Sequence, residues 1–352
     1  MATLPELLRL QGGAFVGYPQ MPNKTVPQPQ GGYAEGFLSS AAGFPQQPNM
    51  SVLDPNSAAY LEGRQAGEPV NIAAMAAPAA ILANTLRRTP KTVAPALDEI
   101  GMRLQTRLDK DYPSLVEQYK ALKDSQGGKV LNTDIARELS EDYLKNRTLS
   151  ANVHEPASAF IKRYYADLLA KPAQPNASVL FTGGGTGAGK TSSLGETLPN
   201  VARQAEIVYD TNMNKLESAR KKIDQALEAG RKVDLVYTYR DPVEALRLGS
   251  LSRAMHQIAD FGTGRTVPLK EHIRTHTGSK EVMPQLMDIY KDNPNVRMAV
   301  VDNSLGKRQA RISTLEGLPK LDTKSLEKQL RNALEEEFKA GKITKEVYEA
   351  SK

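Results

Sequence analysis

The chain has no cysteine and no tryptophan among its 352 residues. Without cysteine there is neither a disulfide framework nor a thiolate metal centre, so the fold rests on burial alone and suits a reducing compartment, with the cytoplasm expected. Aromatic residues make up only 6%, which implies that part of the chain is not densely packed. Long apolar runs are missing too: the most apolar stretch, residues 70–83, contains Pro78 and falls short of the roughly twenty residues of a membrane-spanning helix. The amino terminus, MATLPELLRL, lacks the basic flank and continuous apolar region of a secretory signal. Charge is scarce in the first 85 or so residues, where Gly-Gly, Pro-Gln and Ala-Ala pairs recur. Such a block buries little large apolar surface, so residues 1–90 are expected to be a flexible or partner-ordered arm.

What is present fits a globular protein, with 40% hydrophobic and 24% charged residues. The net charge of +6 favours polyanionic partners, and a triphosphate site alone can use it; nucleic acid ranks behind a nucleotide on this ground. Helical spacing over residues 96–108, 113–122 and 133–144 predicts a helical lead-in at 91–150, the last helix capped by Asn132 or Thr133. A further helix is expected over 156–169. From Ser178 short apolar runs alternate with helical segments: SVLFT, residues 205–209, KVDLVYTY at 232–239 and VRMAVV at 296–301. Strands separated by helices of this length predict an α/β fold, a parallel sheet of P-loop type with helices on both faces, across residues 151–315. A stripe of Leu326, Leu330, Ala333, Leu334 and Phe338, closed by Gly341, predicts a packing helix in a tail at 316–352.

The most specific motif is Gly184-Gly185-Thr186-Gly187-Ala188-Gly189-Lys190-Thr191, followed by Ser192. It matches G-x-x-x-x-G-K-[ST] between an expected strand and an expected helix. The glycines let amide hydrogens converge on phosphate oxygens, and the helix starting at Lys190 points its positive end at the same place. Lys190 is expected to reach the β- and γ-phosphates of ATP, and Thr191 to offer a hydroxyl to Mg²⁺.

Phosphoryl transfer also needs a carboxylate and cations that neutralise the moving group. Asp210 ends the second apolar run, at the carboxyl edge of the expected sheet. It is a candidate base or metal ligand, and equally a cap for a helix starting at Met213. Arg253 on an expected helix, and Arg265 on a loop bracketed by Gly262 and Gly264, are the candidate cations. That glycine-rich loop reads as a mobile lid. Arg240-Asp241-Pro242 reads as a helix start. His272 and His276 could share a helical face, but Ile273 stands after His272 where H-E-x-x-H needs Glu, and the chain has no Cys to complete a zinc site.

The loop FTGGGTGAGKTSS, the turn IVYDTNM and the stretch RDPVEALRLGSLSRAMHQIADFGTGRTVP resemble the zeta toxin family over residues 152–304. The resemblance implies a P-loop kinase-like fold that transfers the γ-phosphate of ATP to a hydroxyl acceptor, UDP-N-acetylglucosamine in the family's studied members. It implies nucleotide and metal contacts from Lys190 and Thr191, and phosphate contacts from Arg253 and Arg265. The family carries an acidic base at one strand end and a sugar-nucleotide-binding acid and threonine at another. Only one such end precedes KVDLVYTY, and Asp210-Thr211 aligns with either. Stretches such as SVLDPNSAAYLEGRQAGEP are similar to segments of large bacteriophage proteins with a zeta-like domain, which implies action in an infected bacterium, after delivery from a virion, with virion or antitoxin partners meeting residues 1–90. The competing readings are a virion or DNA-associated protein that keeps a nucleotide fold as scaffold, and a motor-type NTPase.

Overall fold

Four apolar runs and two short further segments become the strands of one sheet: β1 (Val130–Leu131), β2 (Ser178–Gly183), β3 (Ile207–Asp210), β4 (Lys232–Tyr239), β5 (Val296–Asp302) and β6 (Arg311–Ser313). The computed structural model describes residues 97–306 and 308–352; the arm expected at 1–90 lies outside the described residues. Strand order is β1-β3-β2-β4-β5-β6. All pairs are parallel except β5 with β6, so the expected α/β sheet is present with an antiparallel edge strand added. The strand that feeds the phosphate loop, β2, lies centrally between β3 and β4.

Alternation along the strands divides the core. Val179, Phe181, Ile207, Tyr209, Leu235 and Tyr237 face one way, towards helices α1 (Glu99–Lys110), α2 (Tyr112–Ala121), α5 (His154–Leu169), α8 (Leu216–Glu228) and α11 (Leu269–Tyr290). Leu180, Val208, Val236 and Val301 face the other way, towards Leu194, Leu198 and Val201 of α6 (Lys190–Thr197), its following turn and α7 (Pro199–Gln204). Both faces are therefore covered, as buried parallel strands require. A third cluster joins Leu246, Leu251 and Ala254 to Leu326, Leu330 and Leu334 of α12 (Thr323–Lys339). The leucine stripe of the tail thus packs on the core, each side chain contributing about 2 kcal/mol of burial.

Several elements differ from their expected form for local reasons. Helix α1 starts at Glu99 because the Asp98 carboxylate accepts the Gly101 amide at 2.8 Å. The helix expected at 133–144 breaks into α3 (Thr133–Ala136), a 3₁₀ turn and α4 (Glu141–Lys145). Ser140 turns its hydroxyl to the Tyr143 amide, a side-chain-to-backbone bond that competes with a continuous helix. The helix expected from Met213 begins at Leu216, since Met213 has φ of 50°, outside the right-handed helical region. Strand β1 was not expected, two residues being too few to show a period. Helix α11 spans 22 residues across Pro284; the proline argues against a continuous helix, and packing of Val282, Met283 and Leu286 in the core prevails over it. Short α9 (Pro242–Glu244) leads through a π-helix at Ala245–Leu251 into α10 (Ser252–Phe261), and α13 (Lys345–Ser351) closes the chain.

Candidate active site

The glycine-rich loop at 184–191 leaves β2 at the carboxyl edge of the sheet, and its shape follows from what surrounds it. Gly184 has φ of 139°, and a Cβ there would stand 2.3 Å from the Thr238 carbonyl oxygen of β4. Gly187, at φ 77°, would place a Cβ 2.3 Å from the Ala245 carbonyl oxygen. Only glycine fits either position. The neighbour across Gly187 is Gly249, whose own Cβ would meet the Gly187 carbonyl oxygen at 2.4 Å. The π-helix thus brings a second glycine against the loop, in keeping with the frequent occurrence of π-bulges at functional sites.

Polar contacts hold the loop from the other side. His276 Nε2 donates to the Thr186 carbonyl oxygen at 2.9 Å, and Thr275 Oγ1 accepts the Thr186 amide at 3.1 Å. Asn303 Nδ2 donates to the Ala188 carbonyl oxygen at 2.7 Å. His272 packs beside His276, the rings tilted at 41° with centroids 4.5 Å apart, and is bonded to the Pro242 carbonyl oxygen at 2.8 Å. Burial lowers the two histidines to about 4 and about 3, respectively, with His272 adding to the shift of His276. Both are neutral near pH 7 and serve as struts beneath the loop. Among the described residues no group of three His, Cys, Asp or Glu side chains could hold a metal ion.

Lys190 Nζ donates to Asn212 Oδ1 at 3.1 Å and lies 3.7 Å from Asp210 Oδ1. Asp210 ends β3 next to the loop, and both its oxygens accept hydrogen bonds: Oδ1 from Thr182 Oγ1 and Oδ2 from Asn132 Nδ2, each at 2.6 Å. It caps no helix, because α8 begins beyond the turn at Met213. Thr191 and Ser192 are exposed on the first turn of α6.

Arg265 is buried, and its Nη1 pairs with Asp134 Oδ1. The same oxygen takes Arg137 Nη1 at 2.8 Å, and Arg137 Nη2 meets His154 Nδ1 at 2.8 Å. Arg253 lies beside this group. Burial lowers it to about 10, with Arg265 as a like-charged neighbour and Asp134 and Asp210 opposing the shift. Burial of Asp134 would raise its pKa, but Arg265 and Arg137 outweigh it and hold the carboxyl well below the usual range. Arg137 and Arg265 therefore pair with Asp134, while Asp210 acts on Arg253 and Arg265 from further off, so three guanidiniums face two carboxylates and the cluster is cationic. The segment expected to be a mobile lid is pinned here: Gly264 packs against the Ala254 carbonyl oxygen, Arg265 N donates to Gln257 Oε1 at 2.9 Å, and Thr263 Oγ1 accepts the Arg147 amide at 3.0 Å.

Sequence reading named Asn132 only as a cap and Arg240 as an edge residue more often found at a helix start, and it missed Asp134 and Arg137. Asn132, Asp134 and Arg137 come from the lead-in before the loop, where only a cap was legible. Arg240 directly follows β4 and reaches back, Nε to the Asn303 carbonyl oxygen at 3.0 Å and Nη1 to the Gly187 carbonyl oxygen at 3.5 Å. Its neighbour Asp241 starts α9, Oδ1 accepting the Val243 and Glu244 amides. The basic residue at the end of an apolar run was the available signal for Arg240.

No curated protein matches the chain. Residues 192–305, about a third of the chain, match the family model for zeta toxin, a stretch that takes in Asp210, Arg240, Arg253 and Arg265 and leaves the loop at 184–191, with Lys190 and Thr191, and Asn132, Asp134 and Arg137 outside it.

Proposed function

We propose that the protein is an ATP-dependent phosphotransferase of zeta toxin type. The observation that carries this reading is the convergence, at one sheet edge, of a glycine-built phosphate loop, Lys190, Asp210 and a cationic arginine cluster. Lys190 holds the β- and γ-phosphates, and Arg253 and Arg265 offset charge on the transferred group. Asp210 accepts the proton of the acceptor hydroxyl as the acceptor oxygen bonds to the γ-phosphorus and the bond to ADP breaks. The Thr191 hydroxyl suits Mg²⁺, a hard ion that takes few protein oxygens alongside phosphate and water. When bound, Mg²⁺ supplies charge neutralisation on the phosphate oxygens.

The acceptor belongs to the class of hydroxyl-bearing nucleotide-linked metabolites, UDP-N-acetylglucosamine among them, in a bacterium infected by the phage that encodes the chain. The phosphate loop serves as the nucleotide site, Gly184 to Ser192 lining it. Incubation with γ-labelled ATP and a bacterial metabolite and nucleic-acid extract tests this. One labelled small molecule is expected, with labelling reduced by roughly 10²–10³-fold or more in Lys190→Ala. Labelling that survives that substitution rejects the proposal, and salt-sensitive DNA binding without ATP turnover would support a scaffold protein instead.

A further inference from the structure

The carboxylate assigned to the acceptor is held by a residue from a part of the chain that the family model does not reach. Asn132 follows the edge strand β1, which pairs with β3 so that Leu131 lies opposite Tyr209. One residue further on, the Asn132 side chain stands beside Asp210, 78 positions away in sequence, with Nδ2 donating to Oδ2 at 2.6 Å. Its amide cannot be turned over. Oδ1 accepts the Asp134 amide at 2.6 Å as the cap of α3, so the NH₂ end must face the carboxylate. The backbone is tied as well: the Asn132 amide donates to Tyr119 Oη at 3.1 Å, and that hydroxyl donates to the Val130 carbonyl oxygen at 2.7 Å.

We propose that Asn132 is a positioning residue for Asp210, orienting its carboxylate towards the acceptor hydroxyl through the Nδ2–Oδ2 bond. Thr182 Oγ1 fixes the other oxygen from β2 at 2.6 Å, so two donors from the strands flanking β3 set the plane of the carboxyl group. The charged and titratable groups around Asp210 are Lys190 at 3.7 Å, Arg253 and Arg265, and Tyr119 behind Asn132. None of these cations makes a hydrogen bond to Asp210 Oδ2 in the geometry described, which leaves Asn132 as its orienting partner. A general base misplaced by a fraction of an ångström loses rate without losing nucleotide affinity, because the triphosphate is gripped by the loop.

The inference rests on the proposed role of Asp210, and its test separates the two. Serine caps a helix about as well as asparagine, but its hydroxyl is too short to replace the Nδ2 bond. In the full chain with Mg²⁺ and ATP, phosphate release to water is measured for wild type, Asn132→Ser, Asn132→Asp and Asp210→Asn, together with Tm. The expected result for Asn132→Ser is a Tm close to wild type, kcat lower by roughly ten- to a hundredfold and KM for ATP within about twofold. Asn132→Asp, an equally good cap that sets a carboxylate against Asp210, falls further, and decides the matter should the serine variant fail to fold. An unchanged kcat in Asn132→Ser beside an inactive Asp210→Asn reduces Asn132 to a helix cap and overturns the inference alone. A raised KM with unchanged kcat overturns it as well. Equal rates in wild type and Asp210→Asn remove the base itself, and the inference with it.

Discussion

Arg231, at the amino edge of the sheet, and the arginine cluster at its carboxyl edge are both cations taken largely out of water, yet they are treated in opposite ways. Arg231 has a fully covered side chain. It donates to the carbonyl oxygens of Leu168, Leu169, Lys171 and Ala229 at 2.9–3.1 Å and to both oxygens of Glu206. One guanidinium thereby closes the carboxyl end of α5 and ties it to the start of β4. Arg137 and Arg265 share the Asp134 carboxylate, Arg253 beside them makes no ion pair with it, and the Nε atoms of Arg137 and Arg253 are buried without a hydrogen-bond partner. A cation that is saturated by carbonyl oxygens is structure. Cations left in excess are suited, on the proposed function, to an anion that arrives from outside.

Exchange of the two kinds of arginine breaks this comparison most sharply. Arg253→Met is expected to reduce phosphoryl transfer by roughly 10²–10³-fold while leaving stability nearly unchanged or slightly raised, since an incompletely paired buried charge is removed. Steady-state kinetics and urea unfolding of the same sample read both. Arg231→Met is expected to do the reverse, costing about 3–5 kcal/mol in urea unfolding because six donated contacts are lost and Glu206 is left unpaired, with KM for ATP unchanged in whatever fraction remains folded.

A smaller effect sharpens the comparison by pH. His272 and His276 are held neutral, at about 4 and about 3, against about 6.5 for an exposed histidine. As pH falls through 6.5 the unfolded chain takes up these protons and the folded chain does not, so the stability they contribute is present above 6.5 and is lost progressively down towards 4. Tm is expected to fall between pH 6.5 and 5, and less steeply in His276→Gln, which keeps a donor for the Thr186 carbonyl oxygen. An equal slope in wild type and variant assigns the acid sensitivity to other groups.

The sheet was legible because its strands are buried on both faces and read as short apolar runs, KVDLVYTY matching β4 from end to end. The turn from β2 into α6 at 184–191 was legible as a glycine-built loop because its sequence pattern lies in eight consecutive residues. Arg253 and Arg265 could be picked out as cations in the right stretch, but their company could not, since Asp134 and Arg137 belong to a helix that local pattern describes only by its cap. The lid expectation shows the same limit: Gly262 and Gly264 suggest freedom, while the close approach of Gly264 to Ala254 makes a small residue a packing requirement instead.

Taken alone, the order of residues determined the alternation of strand and helix, the cradle at 184–191 and several of the caps, all of which depend on neighbours within one or two turns. Tertiary structure decided that β1, drawn from before the loop, lies beside β3, that Asn132 meets Asp210, and that Arg137 and Arg265, far apart in sequence, pair with one carboxylate. Those contacts are set by strand order and by side chains competing for a shared interior, and neither leaves a period or a spacing in the chain.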